Sequence, residues 1–443
     1  MSQQSLHERR EPEVLIVGAG IGGLALAILL EQLNFPYHIF ERASEVKPLG
    51  SAMSFGGNIL TALEQLGIYE EFMEIAKPYV EINFFNSKAK KIAVFDLAEH
   101  KKACGYYNVT FSRPKFYDIL RRRVPNHKIS FKKKILRSEE KDGKVIVHCS
   151  DNTSYAGDIL VGADGAYSGV RQSLYRRMEL KGILPKEDAE GFTIDYTTIV
   201  GVATPSNPEK YPQLQEEYSS FNQVLYKGGS NCFVITLPNN QISWGFGVQL
   251  PSTSLKEMHF RNSEWGPETN DSSLNDFRDF PCPIGGKMGE IFDDTPKHLI
   301  SKVFLEEKIF TTWHYGRTVL LGDGAINVLQ DAISLANCLY SMTDYSSKSI
   351  EGAFVEYRRQ RYDRANAAYK LSVVSSKIMN GQRVTERLLR KIVLKYIPRW
   401  AQKSGMWKAA AYRPQVAWLP LVENRGSGSV LPQEGKRYDT VNV

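Results

Sequence analysis

The spacing of apolar residues near the start of the chain predicts a strand, a helix and a second strand. Val14–Val17 is a continuous apolar run of the kind that forms a buried parallel strand. Leu24–Leu33 has the length and composition of a buried helix, and Tyr37–Phe40 reads as a returning strand. Two parallel strands joined by a helix form a βαβ unit, the building block of α/β domains. The sequence therefore predicts an α/β fold.

A different pattern in the middle of the chain predicts a second, mostly antiparallel sheet. Four segments alternate between apolar and polar residues or run apolar: Thr193–Val202, Gln223–Leu225, Asn231–Leu237 and Ile242–Leu250. Pro238–Gln241 lies between the last two and has the composition of a hairpin turn. We expect this sheet to roof a substrate site, with Leu255–Asp294 as a loop or lid.

The loop after the first strand is rich in glycine and has the spacing of a dinucleotide-binding unit. Gly18 allows a tight turn, Gly20 lets the backbone approach a pyrophosphate, and Gly23 lets the helix pack closely on the strand. Phosphate charge is then stabilised at the helix N-terminus. Glu41 ends the second strand about 20 residues later, where an acid binds a ribose hydroxyl. A glycine turn without a ligand is the less favoured alternative.

The last third of the chain is predicted to be helical. Apolar residues recur at spacings of three and four from Leu329 to Tyr340, and a second helix covers Ile350 to Lys377. Four arginines in that second helix are predicted to form a solvated face paired with carboxylates rather than a phosphate site: Arg358, Arg359, Arg361 and Arg364. No pattern in this region requires a nucleic-acid partner.

The segment 383–408 is strongly basic. It holds eight Lys or Arg residues and one acid, Glu386, so its net charge of +7 equals the formal net charge of the whole chain. Leu388, Ile392 and Tyr396 belong to an apolar stripe opposite these bases. The favoured interpretation is a helix that caps the substrate domain with its basic face in water. The alternative is a peripheral contact with an anionic membrane, since basic amphipathic helices can lie in the membrane interface.

Composition narrows the class of protein. A content of 42% hydrophobic and 24% charged residues is typical of a soluble globular protein. Five cysteines occur without paired spacing, which indicates neither a disulfide framework nor a metal site. The polar segment 1–13 excludes an ordinary secretory signal. These features favour a cytoplasmic protein, with membrane association as the open alternative.

Three further segments carry a resemblance to a known family. Asp158–Gly165 is a strand that ends in Asp-Gly and is followed by Arg171; Ser112-Arg113-Pro114 opens a helix; Arg317–Asp323 is a strand that ends in Gly-Asp. The chain resembles the aromatic-hydroxylase (group A) type of FAD-dependent monooxygenase, and in particular the fungal paxilline-type enzymes of secondary metabolism. The resemblance implies that FAD is held by Gly18, Gly20, Gly23, Glu41, Arg42, Ala52, Arg113, Asp164, Asp323 and Ala325.

The chain departs from the family at one of these segments. In the family, on the order of ten more residues, including His and Pro, separate the Gly-Asp pair from a glycine-rich turn that opens the next helix. Here Asp323 runs directly into Gly324-Ala325-Ile326-Asn327. Since a chain spans at most ~3.3 Å per residue, both ends cannot reach their family positions unless the strand or the helix moves. A catalytically impaired variant is therefore a second hypothesis.

The resemblance implies a Rossmann-like FAD-binding domain in which two sheets and one layer of helices form three layers (ββα). It also implies a substrate domain with a mostly antiparallel β-sheet and a helical C-terminal extension. The predicted division is 12–78, 112–178 and 310–378 for FAD binding, 79–111 and 179–309 for the substrate domain, 379–424 for the extension and 425–443 for a disordered tail. The expected reaction is hydroxylation or epoxidation of a hydrophobic organic substrate with NAD(P)H and O2. A flavin-dependent reductase or dehydrogenase of isoprenoids is the alternative.

Aromatic residues of the antiparallel sheet are the candidates for the substrate pocket. Tyr226 is the one weak candidate for a catalytic side chain, and Phe233 and Trp244 are further candidates for the pocket lining. Aromatic side chains at strand spacing are more often part of a hydrophobic core. A flavin carries out the oxygen chemistry of such enzymes, so no catalytic triad or carboxylate pair is required.

Overall fold

A computed structural model describes residues 12–46, 49–226, 230–249, 274–322, 325–381, 383–396, 404–405, 407–408 and 410–435. Within these ranges there are nineteen strands and eleven α-helices. The strands are β1 (Val14–Val17), β2 (Tyr37–Phe40), β3 (Ala52–Phe55), β4 (Ala76–Tyr79), β5 (Glu81–Asn86), β6 (Lys91–Asp96), β7 (Asn108–Ser112), β8 (Ile129–Ser130), β9 (Ile135–Lys141), β10 (Lys144–Cys149), β11 (Ser154–Gly157), β12 (Ile159–Gly162), β13 (Thr193–Ala203), β14 (Phe221–Leu225), β15 (Asn231–Leu237), β16 (Gln241–Gln249), β17 (Ser301–Glu307), β18 (His314–Tyr315) and β19 (Thr318–Leu320).

The helices connect and flank these strands. In chain order they are α1 (Ile21–Gln32), α2 (Gly57–Gln65), α3 (Tyr69–Glu74), α4 (His100–Cys104), α5 (Arg113–Arg121), α6 (Gly169–Leu180), α7 (Lys186–Ala189), α8 (Met288–Asp293), α9 (Ala325–Tyr340), α10 (Ser347–Asn380) and α11 (Val384–Tyr396). The predicted strand-helix-strand unit at the start of the chain is confirmed, since β1 pairs with β2 in parallel through α1. The helix predicted over Ile350–Lys377 lies within α10.

The first domain has three layers. Its central sheet has the strand order β18-β19-β12-β1-β2-β8. One face of this sheet packs against helices that include α1, α5 and α9, and the other packs against α6 and the small sheet of β9, β10 and β11. The register pairs Val17 with Gly162 and with Phe40. The parallel strands therefore end together, which places the loops that follow them at one edge.

The second sheet is mostly antiparallel, as predicted, with the strand order β17-β13-β16-β15-β14-β5-β6. Asn239 and Asn240 have φ values of 60° and 55° and form the turn between β15 and β16, so the predicted hairpin is confirmed. Cys232, Val234 and Trp244 point to one face, which packs against residues between 274 and 300. Ile235 and Phe233 point to the opposite face, which packs against Ala52 of the first domain. Of the predicted loop or lid over Leu255–Asp294, residues 255–273 lie outside the described residues, and residues 274–294 include α8.

The C-terminal segment 425–435 packs against the first domain, although its composition predicts disorder. The backbone N–H of Gly428 donates to Ala103 O at 2.9 Å, and that of Leu431 donates to Ala411 O at 2.9 Å. Glu434 forms ion pairs with Arg364 at 2.8 Å and Arg359 at 3.1 Å. These contacts with residues far away in the chain hold the segment in a defined position, which its composition alone does not predict. The boundaries of the other predicted domains stay a prediction.

Candidate functional site

The glycine loop lies at the carboxyl edge of the central sheet and is packed backbone to backbone. Gly18 has φ of +105°, and a Cβ atom there would lie 2.4 Å from Ala163 O, in the loop after β12. A Cβ atom on Gly23 would lie 2.0 Å from Gly18 O. Both positions exclude any side chain, because backbone atoms occupy the space. The two loops after β1 and β12 therefore form one rigid edge.

Gly20 differs from its neighbours because it faces open space. It is the N-cap of α1, no side chain caps it, and a Cβ atom there would meet no described atom within 4 Å. The N-terminus of α1 therefore offers backbone N–H groups and the positive end of the helix dipole to a phosphate. The pyrophosphate of a dinucleotide fits here.

Glu41 lies beside this loop at the end of β2. Its Oε2 accepts a hydrogen bond from the backbone N–H of Ala19 at 2.9 Å, and its Oε1 accepts one from the N–H of Ala43 at 2.9 Å. A carboxylate oxygen accepts more than one hydrogen bond, so both oxygens can still receive ribose hydroxyls. Arg42, which follows, is exposed. The geometry suits the adenosine half of FAD.

Arg113 and Ala52 lie where the first domain meets the antiparallel sheet. Arg113 is the first residue of α5, and its Nη1 donates to Leu49 O at 2.9 Å. The backbone N–H of Ala52 donates to Ser243 Oγ at 2.9 Å, and Ser51 Oγ lies 3.0 Å from the same atom. Ser243 was not predicted from the sequence. In the sequence, the one feature that distinguishes Ser243 is that a small polar residue lies next to Trp244 and therefore on the other face of the strand.

Asp164 closes the loop after β12 by capping α6. Its carboxylate accepts hydrogen bonds from Ser168 Oγ at 2.5 Å and from the backbone N–H of Gly169 at 2.7 Å. Burial raises the pKa of this carboxyl, against the lowering effect of those hydrogen bonds. Arg171 in the same helix donates to Ala166 O at 2.6 Å, and its guanidinium lies 4.3 Å from the ring centre of Phe310. A role of Asp164 in FAD binding stays a prediction.

The segment at the end of β19 is only partly described. Asp323 lies outside the described residues, and Ala325 is the first residue of α9. Immediately before them, the backbone N–H of Gly322 donates to Asp331 Oδ2 at 3.0 Å. Asp331 Oδ1 accepts from Arg361 Nε at 2.6 Å, and these two side chains are 1% and 0% exposed.

The prediction that Arg361 belongs to a solvated face is therefore wrong. In α10 it points inward, because it pairs with the one charged residue of α9. Arg359 and Arg364 do pair with carboxylates at the surface, as predicted. Arg358 donates instead to the carbonyl of Thr311 at 2.9 Å.

A cavity of about 280 Å³ adjoins this segment. Its walls are the loop after β12, residues 308–313 and one side of α10, and the lining includes Arg171, Phe310, Trp313, Gly322, Asp331 and Tyr369. Aromatic and apolar side chains dominate, and the charged residues in the lining are Arg171, Lys308 and Asp331. It lies next to the Gly-Asp segment that the family resemblance connects to the ribityl chain.

The three aromatic candidates are divided between the two faces of the antiparallel sheet. Tyr226 and Trp244 lie in the hydrophobic cluster on the face turned away from Ala52. The Tyr226 hydroxyl is buried without a hydrogen-bond partner among the described residues, and burial raises its pKa, helped by Cys232. Trp244 Nε1 donates to Thr295 Oγ1 at 2.9 Å. Phe233 lies on the face towards Ala52. A catalytic role for Tyr226 has no geometric support.

Part of the chain matches a family model, and nearly the whole chain is similar to proteins named as FAD-dependent monooxygenases. Residues 11–196 match the family model described as FAD binding domain. FAD-dependent monooxygenase prhF of Penicillium brasilianum is 27% identical over 96% of this chain and 91% of its own length. FAD-dependent monooxygenase paxM of Penicillium paxilli is 26% identical over 95% and 90%.

Solved structures share the fold at lower identity. Klebsiella pneumoniae HpxO, complexed with FAD and uric acid, has a TM-score of 0.73 and 19% identity over 90% of this chain and 97% of its own. A salicylate hydroxylase in a substrate complex has a TM-score of 0.66 and 18% identity, with the same coverage. At this identity the likeness shows the fold.

Proposed function

We propose that this chain, a member of the FAD-dependent monooxygenase family, hydroxylates or epoxidises a hydrophobic organic substrate with NAD(P)H and O2. The observation that carries the proposal is the cradle of Gly20, Ala19 and Glu41 at the sheet edge, in a chain that matches such enzymes over nearly its whole length. The resemblance to fungal enzymes of secondary metabolism implies the hydrophobic substrate, and the relatives named as FAD-dependent monooxygenases support the reaction type.

The residues supply binding and position. When bound, FAD would supply the redox chemistry, namely acceptance of a hydride from NAD(P)H and transfer of one oxygen atom of O2 to the substrate with release of the other as water. The N-terminus of α1 binds the pyrophosphate, and Glu41 orients the ribose. Arg113 and Ala52 border the end of the groove that meets the antiparallel sheet. Phe233, Val202 and Ile235 give the sheet an apolar face there, which suits a hydrophobic substrate and excludes water.

Oxygen incorporation tests this proposal directly. Purified protein is reconstituted with FAD, and NADH and NADPH oxidation is followed with a panel of prenylated and aromatic compounds under ¹⁸O2. We expect substrate-stimulated oxidation and one labelled oxygen atom in the product. Turnover without O2 would instead indicate the isoprenoid reductase. Protein that stays colourless after FAD addition would indicate the impaired variant, and flavin binding regained after lengthening the segment that follows Asp323 would identify the cause.

We propose further that the chain contacts the cytoplasmic surface of a membrane through the segment 383–408. Four large apolar side chains of α11 are exposed to between 44% and 65%: Leu388, Leu389, Ile392 and Tyr396. At 100° per residue they share one side of the helix, with Arg387, Lys391 and Lys395 along one border. No residue of α11 is buried. The apolar stripe thus faces outward, which favours the membrane over a basic face in water.

Among the described residues no helix is both long and apolar enough to cross a bilayer. An apolar stripe with a basic border is the arrangement that lies in the plane of an anionic membrane surface. A hydrophobic substrate dissolved in that membrane would be concentrated near the enzyme. The described part of the segment ends at Tyr396 apart from short pieces between 404 and 408.

A further inference from the structure

The buried ion pair between Asp331 and Arg361 joins α9 to α10. Arg361 Nε lies 2.6 Å from Asp331 Oδ1, and neither side chain has significant exposure to solvent. Arg361 Nη2 lies 3.4 Å from Asn327 Oδ1. The Tyr412 ring lies below the guanidinium, 5.3 Å from Arg361 Cζ. The pair is thus shielded from solvent, and Asp331 lies at the wall of the 280 Å³ cavity.

The second oxygen of Asp331 reaches the end of β19. Asp331 Oδ2 accepts the backbone N–H of Gly322 at 3.0 Å. A Cβ atom on Gly322 would lie 2.8 Å from that oxygen, so the close approach requires glycine. Arg361 therefore contacts both ends of the shortened segment: Gly322 through Asp331, and Asn327 directly. Only residues 323–326 lie between these ends.

The geometry of this pair is not that of a pair optimised for stability. Removing two charges from water is costly, and an apolar pair of similar volume is often as stable. Arg361 Nη1 is buried and has no hydrogen-bond partner among the described residues, which adds to that cost. Such a pair fixes the relative positions of the residues it contacts rather than adding much free energy of folding. Here those residues are Gly322 and Asn327.

We propose that Asp331 and Arg361 are positioning residues for FAD. They hold Gly322, at the end of β19, next to Asn327, near the start of α9, and so fix this edge of the FAD groove, where the family has a longer loop. Neither side chain needs to touch FAD, because the effect passes through the backbone of Gly322 and through Asn327. The inference rests on the proposed function, since it assumes that FAD occupies the groove beside this segment.

Four variants test the clamp. Asp331→Asn keeps the size of the side chain but leaves one acceptor oxygen in place of two. Arg361→Lys keeps the charge but loses the fork that reaches both Asp331 and Asn327. The double variant Asp331→Leu with Arg361→Met keeps an apolar, packed interior without the clamp. The matched control is Arg413→Lys, since Arg413 is also buried but donates to the carbonyls of Ala410 and Cys104, away from Gly322.

The dissociation constant of FAD is measured by titration of flavin fluorescence. The absorption spectrum and midpoint potential of the bound flavin and the Tm of the apoprotein are measured in parallel. We expect FAD affinity to fall at least about tenfold in the two single variants and in the double variant, with a changed flavin spectrum. The double variant should keep an apoprotein Tm close to that of the unmodified chain. Arg413→Lys should lower the Tm and leave affinity and spectrum unchanged.

Three results overturn the proposal in distinguishable ways. If the variants bind FAD with the affinity, spectrum and potential of the unmodified protein, the clamp has no positioning role and the proposed function stands. If FAD affinity falls only in variants whose apoprotein Tm also falls, and Arg413→Lys loses affinity to the same extent, the pair is merely structural. Failure of the unmodified chain to bind FAD removes the proposed function and the clamp together.

Discussion

Glu41 Oε2 accepts the backbone N–H of Ala19 at 2.9 Å, and this hydrogen bond joins the end of β2 to the glycine loop after β1. The same carboxylate that the sequence predicts as a ribose ligand therefore also holds the loop that receives the pyrophosphate. Its other oxygen accepts the N–H of Ala43, so the side chain has one orientation before any ligand arrives. A preorganised acceptor loses little entropy on binding.

Replacing Glu41 by Gln should weaken FAD binding about tenfold, equivalent to ~1.4 kcal/mol. The amide has one acceptor oxygen in place of two and no charge, so it cannot hold both Ala19 and Ala43 and still receive the ribose. Isothermal titration of the apoprotein with FAD measures the effect. Glu45→Gln is the matched control, since Glu45 is exposed in the same loop. Equal FAD affinity in both variants would remove Glu41 from the site.

Alanine should lower the folding stability at Gly18 but leave it unchanged at Gly20. Gly18→Ala places a Cβ atom against Ala163 O at a φ of +105°, which should cost about 2 kcal/mol of folding stability. Gly20→Ala places a methyl group in open space within the groove, so the apoprotein should keep its Tm and lose FAD affinity. Gly352→Ala, in an exposed and uncrowded position of α10, is the control and should be neutral or slightly stabilising. A Gly20→Ala protein that binds FAD normally would contradict the predicted pyrophosphate site.

The outward face of α11 should bind anionic vesicles. Flotation with phosphatidylserine-containing liposomes is expected to recover the unmodified chain, and Leu388→Ser with Ile392→Ser should abolish recovery by removing apolar contact area. Lys391→Glu with Lys395→Glu should weaken partitioning about tenfold or more, because each base near the surface contributes roughly 1 kcal/mol.

Reversal of two exposed bases elsewhere controls for net charge. Arg176→Glu with Lys186→Glu changes the total charge by the same amount on exposed residues of α6 and α7. This variant should float as the unmodified chain does. The membrane proposal fails if both charge reversals have the same effect, or if the unmodified chain does not float.

Acid should destabilise the fold partly through His100. Burial, with a smaller contribution from Arg413, lowers the pKa of His100, and its Nε2 has no hydrogen-bond partner among the described residues. Above pH ~6.5 both folded and unfolded states hold the ring neutral; as pH falls below that value the unfolded chain takes up a proton first, so stability is lost. The Tm of His100→Gln should fall less between about pH 7.5 and about pH 5.5 than that of the unmodified chain. His298→Gln, at an exposed position, should keep the original slope.

Features encoded over a few neighbouring residues were predictable. The strand, glycine loop and helix from Val14 to Gln32 follow from apolar runs and glycine spacing, and the turn at Asn239 and Asn240 follows from turn chemistry. Each depends on backbone conformations that only a few residue types adopt. Ser243 was missed because its partner Ser51 lies 192 residues away, and no local pattern connects them.

Arg361 and α11 show where such reasoning ends. The row of arginines in α10 predicts a solvated face. Arg361 is nevertheless buried, because Asp331, 30 positions earlier in the chain, accepts a hydrogen bond from its guanidinium. One feature of the sequence does point to a buried partner for this aspartate: Asp331 is the one charged residue in the apolar helix α9. For α11 the sequence contains the apolar stripe and the basic border, but periodicity does not say which side meets the protein.

The sequence alone predicted the dinucleotide-binding unit, the two kinds of sheet and the amphipathic character of 383–408. These features depend on the spacing of apolar and glycine residues and on local backbone preference. Tertiary packing decided that Glu41 shapes the glycine loop, that Asp331 and Arg361 connect Gly322 to α9 and α10, and that the apolar side of α11 faces outward. The reason is that burial, and the cost or gain of each charge within it, depends on residues far apart in sequence that only the folded chain brings together.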